Sequence, residues 1–358
     1  MRAQEFKREF GPQGGYFRCR GEELLNRFFS ARGEQSFQEV YVQITGDKKV
    51  TGRREDCDRV RLREALGTLD WPDVFSAAVS RQMVNEYRVG SNYTVWRKFV
   101  DVMPNIVDFR TQRRVRFGGY GDLPTVSEGS PYLALPSPTD ESASYALAKR
   151  GGTETFTLEM VKNDDTTAIK RLPKRLAEAA HRTLAHFALD MLRMNAVIYD
   201  GLALFHANHG NLGSAALSAS SLNAARSALQ HQTDPDSGDP LGLEPHYLIV
   251  PFDLEETAHN LFVRGTNQDR TFVQNLKIEV VPIWYWTDEN DWCVSADPTE
   301  APTIEVGFLD GIEEPQLFVQ DTPTAGSMFS NDQTTLKIRH IYGGAAIDYR
   351  GMYKSVVA

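Results

Sequence analysis

Between Asn163 and Asn195 the sequence NDDTTAIKRLPKRLAEAAHRTLAHFALDMLRMN leaves little choice of local structure. Leu172, Leu176, Ala180, Leu184, Phe187, Met191 and Met194 recur at steps of four and three, which places them on one side of an α-helix. Lys170, Arg171, Lys174, Arg175, Glu178, Arg182 and Arg193 fall mostly off that line. Asp164, Asp165, Thr166 and Thr167 offer side-chain oxygens to the free amides of a helix start, and the two carboxylates suit the positive end of its dipole. Pro173 lacks a backbone donor and predicts a bend or a restart there. From Pro173 onward about 23 residues at about 1.5 Å each give roughly 35 Å of rod. This is the longest helix the chain predicts, a spine against which sheets and loops can pack.

The rest of the chain has the composition of a globular protein. Its 358 residues are 41% hydrophobic and 24% charged, enough for a substantial core in two or three domains. MRAQEFKREFGPQGG at the start has no apolar stretch of signal-peptide type. Nowhere do 18 apolar residues run together, so no membrane span is expected. Cys19, Cys57 and Cys293 lack CxxC spacing and read as free thiols of a reducing compartment. Charge is unevenly distributed: the front is mildly basic, whereas Asp200 to Asp321 holds 4 Lys and Arg against 20 Asp and Glu. A basic region tolerates or attracts nucleic acid and an acidic one repels it, although solvated faces without partners account for such a split equally well.

Along the chain, Glu22 to Phe29 predicts a short helix. Val40, Val42 and Ile44 alternate up to Gly46-Asp47, as a strand would. Residues 1–67 otherwise read as an extended arm that gains order by lying on something else. Asp70 to Tyr87 predicts a helix, with Pro72 in its first turn, and Trp96 to Val102 a strand. Arg114 to Phe117 and Glu154 to Met160 each alternate apolar and polar residues, which predicts two antiparallel strands joined by an arm of about 35 residues. A long ribbon of that kind is a hazard to a monomer, because open strand edges invite association. After the spine come a helix at Leu222 to His231, a loop at Thr233 to Pro240, a strand at Tyr247 to Val250 and a helix at Leu254 to Val263. Strands follow at Ile278 to Trp286, Trp292 to Val294, Ile304 to Leu309 and Leu317 to Val319, and two more return between Thr335 and Tyr353.

No catalytic set emerges. His206 and His209, three apart after Asp200, are the best metal candidates. HExxH is absent and Gly210-Asn211 marks a turn, so histidines ordering a turn is the favoured reading. His181 and His186 on the spine read as packing or surface residues. GxSxG is missing, and Gly118-Gly119-Tyr120-Gly121 is too short for a phosphate cradle. Asp164/Asp165 and Glu255/Glu256 read as helix caps and surface charge, and Trp284 and Trp286 as core on one strand. Catalytic, cofactor and metal residues are therefore all expected to be none.

The order of arm, helix, ribbon, spine helix, acidic α/β region and returning strands resembles the major capsid proteins of tailed bacteriophages, the Hong Kong 97 fold. VDFRTQRRVRFGGYG (107–121), NDDTTAIKRLPKRL (163–176), DGLALFHANHGNL (200–212) and GAAIDYRGMYK (344–354) are similar to the Mu-like prophage major head subunit group. Residues 36–66 resemble the segment joining a maturation protease to the capsid protein in some related phages, which leaves proteolytic processing open.

The resemblance implies an α+β chain in six parts. These are an N-terminal arm (1–69), a first piece of a peripheral domain (70–110), an E-loop ribbon (111–160), a peripheral spine (161–210), an axial domain (211–334) and returning C-terminal strands (335–358). It implies homo-hexamers and homo-pentamers forming an icosahedral shell, virion location, assembly in the bacterial cytoplasm and no enzymatic activity. Implied partners are a portal, a scaffold or maturation protease, decoration or head-tail proteins, and double-stranded DNA held without sequence reading. An encapsulin-like nanocompartment shell and a metal-dependent hydrolase using Asp200, His206 and His209 are the alternatives.

Overall fold

The computed structural model describes residues 24–25, 27–29, 36–48, 71–89, 92–120, 122–132, 134–135, 137, 140–157, 166–262, 272–320 and 333–357. The caps expected at Asp164 and Asp165, and Cys19 and Cys57, lie outside the described residues. Two compact units emerge: Met1–Ser91, Lys149–Arg182 and Glu313–Ile341 form one; Asn92–Ala148, Thr183–Ile312 and Tyr342–Ala358 form the other. Among the described residues no helix is long and apolar enough to cross a membrane.

In the first unit, Phe37–Thr45 (α1) is a helix, not the expected strand. Ser36 caps its start by accepting from the Glu39 amide, and Gly46, at φ 73°, ends it by returning its N–H to the Val42 carbonyl. Val40 and Ile44 are four apart as well as members of an alternating set, and both are buried in the unit's core. That core also takes Leu25 and Phe28, so this part of the expected arm packs within its unit. Trp71–Arg88 (α2) is helical as expected and packs against strand Gln316–Gln320 (β10) through Ala78, Val79 and Met83. β10 pairs antiparallel with residues 335–339 of Gln333–Ala346 (β11), which also pairs with Ala148–Thr157 (β4).

Thr166–Arg193 (α3) is the spine, 28 residues and longest of the described helices. It runs unbroken through Pro173, so the expected restart does not occur. Its buried line runs through Ala177, Ala180, His181, Leu184, Ala188 and Leu192, displaced from the expected stripe. Leu172 and Leu176 are only partly buried and Met194 is 68% exposed. Alanine, lacking a bulky side chain, lets neighbouring backbones approach, so the line of closest packing follows the small residues.

In the second unit, residues 183–193 of the spine lie against a five-stranded sheet. Its order is Leu212–Gly213 (β5), Met352–Ser355 (β12), Trp292–Ala296 (β8), Pro245–Pro251 (β6) and Glu279–Ile283 (β7). Alternation along these strands separates two apolar layers. Ile249, Cys293 and Met352 face the layer containing Leu184, Ala188 and Leu189 of the spine. Leu248, Val250, Trp292 and Val294 face Leu222 and Leu229 of helix Ala219–Gln230 (α4). Helix Glu255–Phe262 (α5) also packs on that second layer through Ala258, with Glu255 and Glu256 in its first turn as expected. A short helix, Phe272–Asn275 (α6), precedes β7. Asp101–Ile106 (β1) runs parallel to Ile304–Leu309 (β9), which pairs antiparallel with residues 342–346. Asn92–Lys98 is a 3₁₀ helix that buries Trp96, so the strand expected from Trp96 to Val102 starts only at Asp101. Burial of Cys293 pushes its thiol up to about 12, which leaves it unreactive.

Candidate assembly site

The ribbon stands apart from these layers. Gln112–Phe117 (β2) pairs antiparallel with Asp140–Tyr145 (β3), from Gln112 opposite Tyr145 to Phe117 opposite Asp140. The expected partner, Glu154 to Met160, is not the one used: β4 ends at Thr157 and pairs with β11, and residues 158–160 lie outside the described residues. DESASY, the sequence of β3, is poor in β-branched residues, and its placement is decided by ion pairs instead.

Those pairs anchor the base of the ribbon within its unit. Arg114 donates from Nε to both Glu305 oxygens, at 2.7 and 2.8 Å. Tyr145, directly opposite Gln112, donates its hydroxyl to the same carboxylate. Burial opposes the charge of Arg114, yet the hydrogen bonds and charge of Glu305 hold its pKa above the ordinary value. Burial, reinforced by Glu305, raises the Tyr145 phenol well above the usual tyrosine value. Burial and then the Glu305 charge raise Asp101 nearby. Gly307 leaves room for this contact and for Ile106, because a Cβ there would collide with Ile106 Cδ1 and stand 2.9 Å from the Tyr145 hydroxyl oxygen.

A second anchor lies further along. Arg116 pairs with Asp348, and Arg350 bridges Asp348 at 3.0 Å and Glu141 at 2.8 Å. Arg350 also donates to the Thr233 carbonyl at 3.0 Å and has its guanidinium over the Tyr349 ring. Burial together with the neighbouring Arg350 charge lowers Arg116. Where β2 ends, the Gly119 amide donates to the Asp234 carboxylate at 2.7 Å. Burial works against ionisation of Asp234, but the amides of Gly119, Asp236 and Ser237 outweigh it and hold its pKa below the ordinary value. A Cβ at Gly118 would meet the Asp236 carboxylate, so a larger residue there would have to push that side chain aside.

Beyond these anchors the chain turns outward. Among the described residues from 120 to 137, Tyr120 is 58%, Leu123 78% and Tyr132 87% exposed. These are large apolar side chains left in solvent, which gain burial wherever a partner surface covers them.

The other candidates are placed elsewhere. His209 pairs its Nε2 with Asp200 at 2.6 Å and its Nδ1 with the Leu204 carbonyl at 3.2 Å, and stacks on Tyr349. His206 accepts from the Asn208 amide and caps a 3₁₀ turn. The two rings thus serve the turn, and the described residues contain no group of three potential metal ligands. Trp284 and Trp286 lie after the end of β7; Trp286 is buried, but Trp284 is 46% exposed. His181 is buried against Tyr87, and His186 stacks on Tyr285. Sequence reasoning passes over Glu141, Glu305, Asp348 and Arg350, whose partners lie too far along the chain to be read from spacing.

A solved capsid of an empty GTA particle matches this fold with a TM-score of 0.50 and 10% identity, covering 75% of this chain and 91% of that one. Chains from Microbacterium phage Oxtober96 (TM-score 0.48, 9% identity, 72% of this chain and 89% of that one) and Mycobacterium phage Adephagia (0.46, 13%, 75% and 90%) are also similar. No curated protein matches the chain. The profile of a family described as phage capsid protein matches residues 140–355, more than half of the sequence, and the chain belongs to that family. It is a capsid shell protein of the Hong Kong 97-type fold, as the resemblance implied, and the nanocompartment and hydrolase alternatives are not favoured.

Proposed function

We propose that copies of this chain assemble as hexamers and pentamers into an icosahedral shell around double-stranded DNA, with residues 118–139 laid over a neighbouring copy. The observation that carries this reading is the contrast within the ribbon. Its base is held by buried ion pairs, while Leu123 and Tyr132 at its far end stand in solvent. Rigid anchoring preserves the direction of the projection, and its apolar side chains gain burial when a second copy covers them. In a closed ring every copy both offers and receives such an arm.

In this reading the pieces 70–110 and 161–210, with the strands of 335–358, build the peripheral region, and 211–334 the axial region around the rotation axes. The basic front of the chain lines the interior, holding phosphates without reading sequence. Assembly proceeds in the host cytoplasm with a portal and a maturation protease, decoration or head-tail proteins join the finished shell, and the chain itself performs no catalysis. The test is removal of residues 122–137 with a short glycine linker, which leaves β2 and β3 paired. The shortened chain is expected to fold yet form no closed particles; normal particles from it overturn the role of the arm.

A further inference from the structure

The chain enters or leaves the first unit at five places: after Ser91, at Lys149, after Arg182, at Glu313 and after Ile341. A single cluster inside that unit supplies a residue close to every one of them. Tyr87 lies four residues before Ser91, Arg150 one after Lys149, His181 one before Arg182 and His340 one before Ile341, while Glu313 opens its own segment. These residues also meet in space. The His181 ring stacks on Tyr87 with centroids 3.8 Å apart and planes 6° apart, and its Nε2 lies 2.7 Å from the Tyr87 carbonyl. His340 approaches the same ring edge-on at 6.0 Å, and its Nε2 lies 2.9 Å from the Glu313 carbonyl. Both histidines are buried, at 6% and 5% exposure.

A carbonyl only accepts, so each imidazole places a proton on Nε2 and donates it. A second proton, on Nδ1, introduces a full charge into a buried site. Among the titratable groups acting on His340, Arg150 from β4 and His181 from α3 oppose that charge, and Glu314 favours it. Glu314 is itself paired with Arg88 of α2 at 2.9 Å. Burial first, with Arg150 and His181 adding to it, lowers the His340 pKa to about 4.

We propose that His181, Tyr87 and His340 form an acid-sensitive clasp. With both rings neutral it holds the end of α2, the spine, β11 and the Glu313 segment together; protonation of His340 releases them. This goes beyond the shell reading and does not depend on it, since the clasp is complete within one chain.

Hydrogen exchange of the full chain, stepped from pH 7 to pH 4 and corrected for intrinsic rates, tests the clasp at residues 83–88, 177–182, 313–316 and 338–341. Protection is expected to fall roughly tenfold per pH unit below the ordinary histidine value and to level off near the lowered one. His340→Gln keeps a donor for the Glu313 carbonyl but cannot take up a proton, so its protection should fall much less over that range than in the unaltered chain, the remaining fall belonging to His181. Protection that is flat in the unaltered chain, or that falls equally in His340→Gln, overturns the proposal. If the variant folds poorly, exchange at the imidazole carbon hydrogen of His340 in the unaltered chain decides. A midpoint near 4 supports the clasp, and an ordinary histidine midpoint overturns it.

Discussion

Arg350 and Glu141, 209 residues apart, meet as a fork: Nη1 lies 2.8 Å from Oε2 and Nη2 3.0 Å from Oε1. The Arg350 side chain is 2% exposed. The pair ties β3 of the ribbon to the turn that precedes β12. Glu141→Ala leaves the guanidinium with Asp348, the Thr233 carbonyl and the Tyr349 ring, and is expected to destabilise the unassembled chain by about 2 kcal/mol. Denaturant unfolding measures this, and a loss below about 1 kcal/mol, the scale of an exposed pair, counts against the anchor.

The three arginines of β2 should respond differently to reversal of charge. Arg113 is exposed, whereas Arg114 and Arg116 reach Glu305 and Asp348. Arg113→Glu is expected to change stability by less than about 0.5 kcal/mol. Arg114→Glu sets two carboxylates against each other and should release the ribbon, raising protease cleavage between residues 118 and 139. Equal protease resistance in the two variants contradicts the assignment.

Tyr145 offers a spectroscopic check. Its phenol is raised by burial and then by Glu305, so it should remain protonated when exposed tyrosines have ionised in an ultraviolet titration. Tyr145→Phe should remove its share of the late-titrating signal, leaving that of Tyr199, which burial raises as far, and cost about 1 kcal/mol. An unchanged titration curve refutes the contact.

Asp234 predicts an acid-side dependence. Its folded pKa lies below the ordinary aspartate value, so its contribution is complete above the unfolded value and is lost as pH falls through the folded one. The unaltered chain should therefore lose hold of the Gly119 amide in strong acid. Asp234→Asn should show a smaller loss over the same range, read as exchange of that amide; identical profiles reject the latch.

How much of this is legible in the sequence depends on the distance over which each element is specified. The spine is readable because steps of three and four repeat over 28 residues, although the small residues Ala177 and Ala188 shift its buried line. Helix α1 reads as a strand because Val40, Val42 and Ile44 satisfy a period of two, while the helix caps Ser36 and Gly46 carry the decisive signal. β3 carries little local signal beyond the strand-like Tyr145: Ser and Ala dominate it, and its position rests on Glu305, 160 residues beyond Tyr145, and on Arg350. Asp200, His206 and His209 form the turn that their spacing favours, since the imidazoles bond to backbone groups within five residues and to Asp200.

Electron microscopy of the purified full chain tests the central claim most directly. The account predicts closed, curved shells built from rings of five and six copies, with density from one copy's residues 118–139 lying on its neighbour. A monodisperse monomer that forms no rings or shells under any assembly condition, with Leu123 and Tyr132 folded back against their own chain, contradicts it.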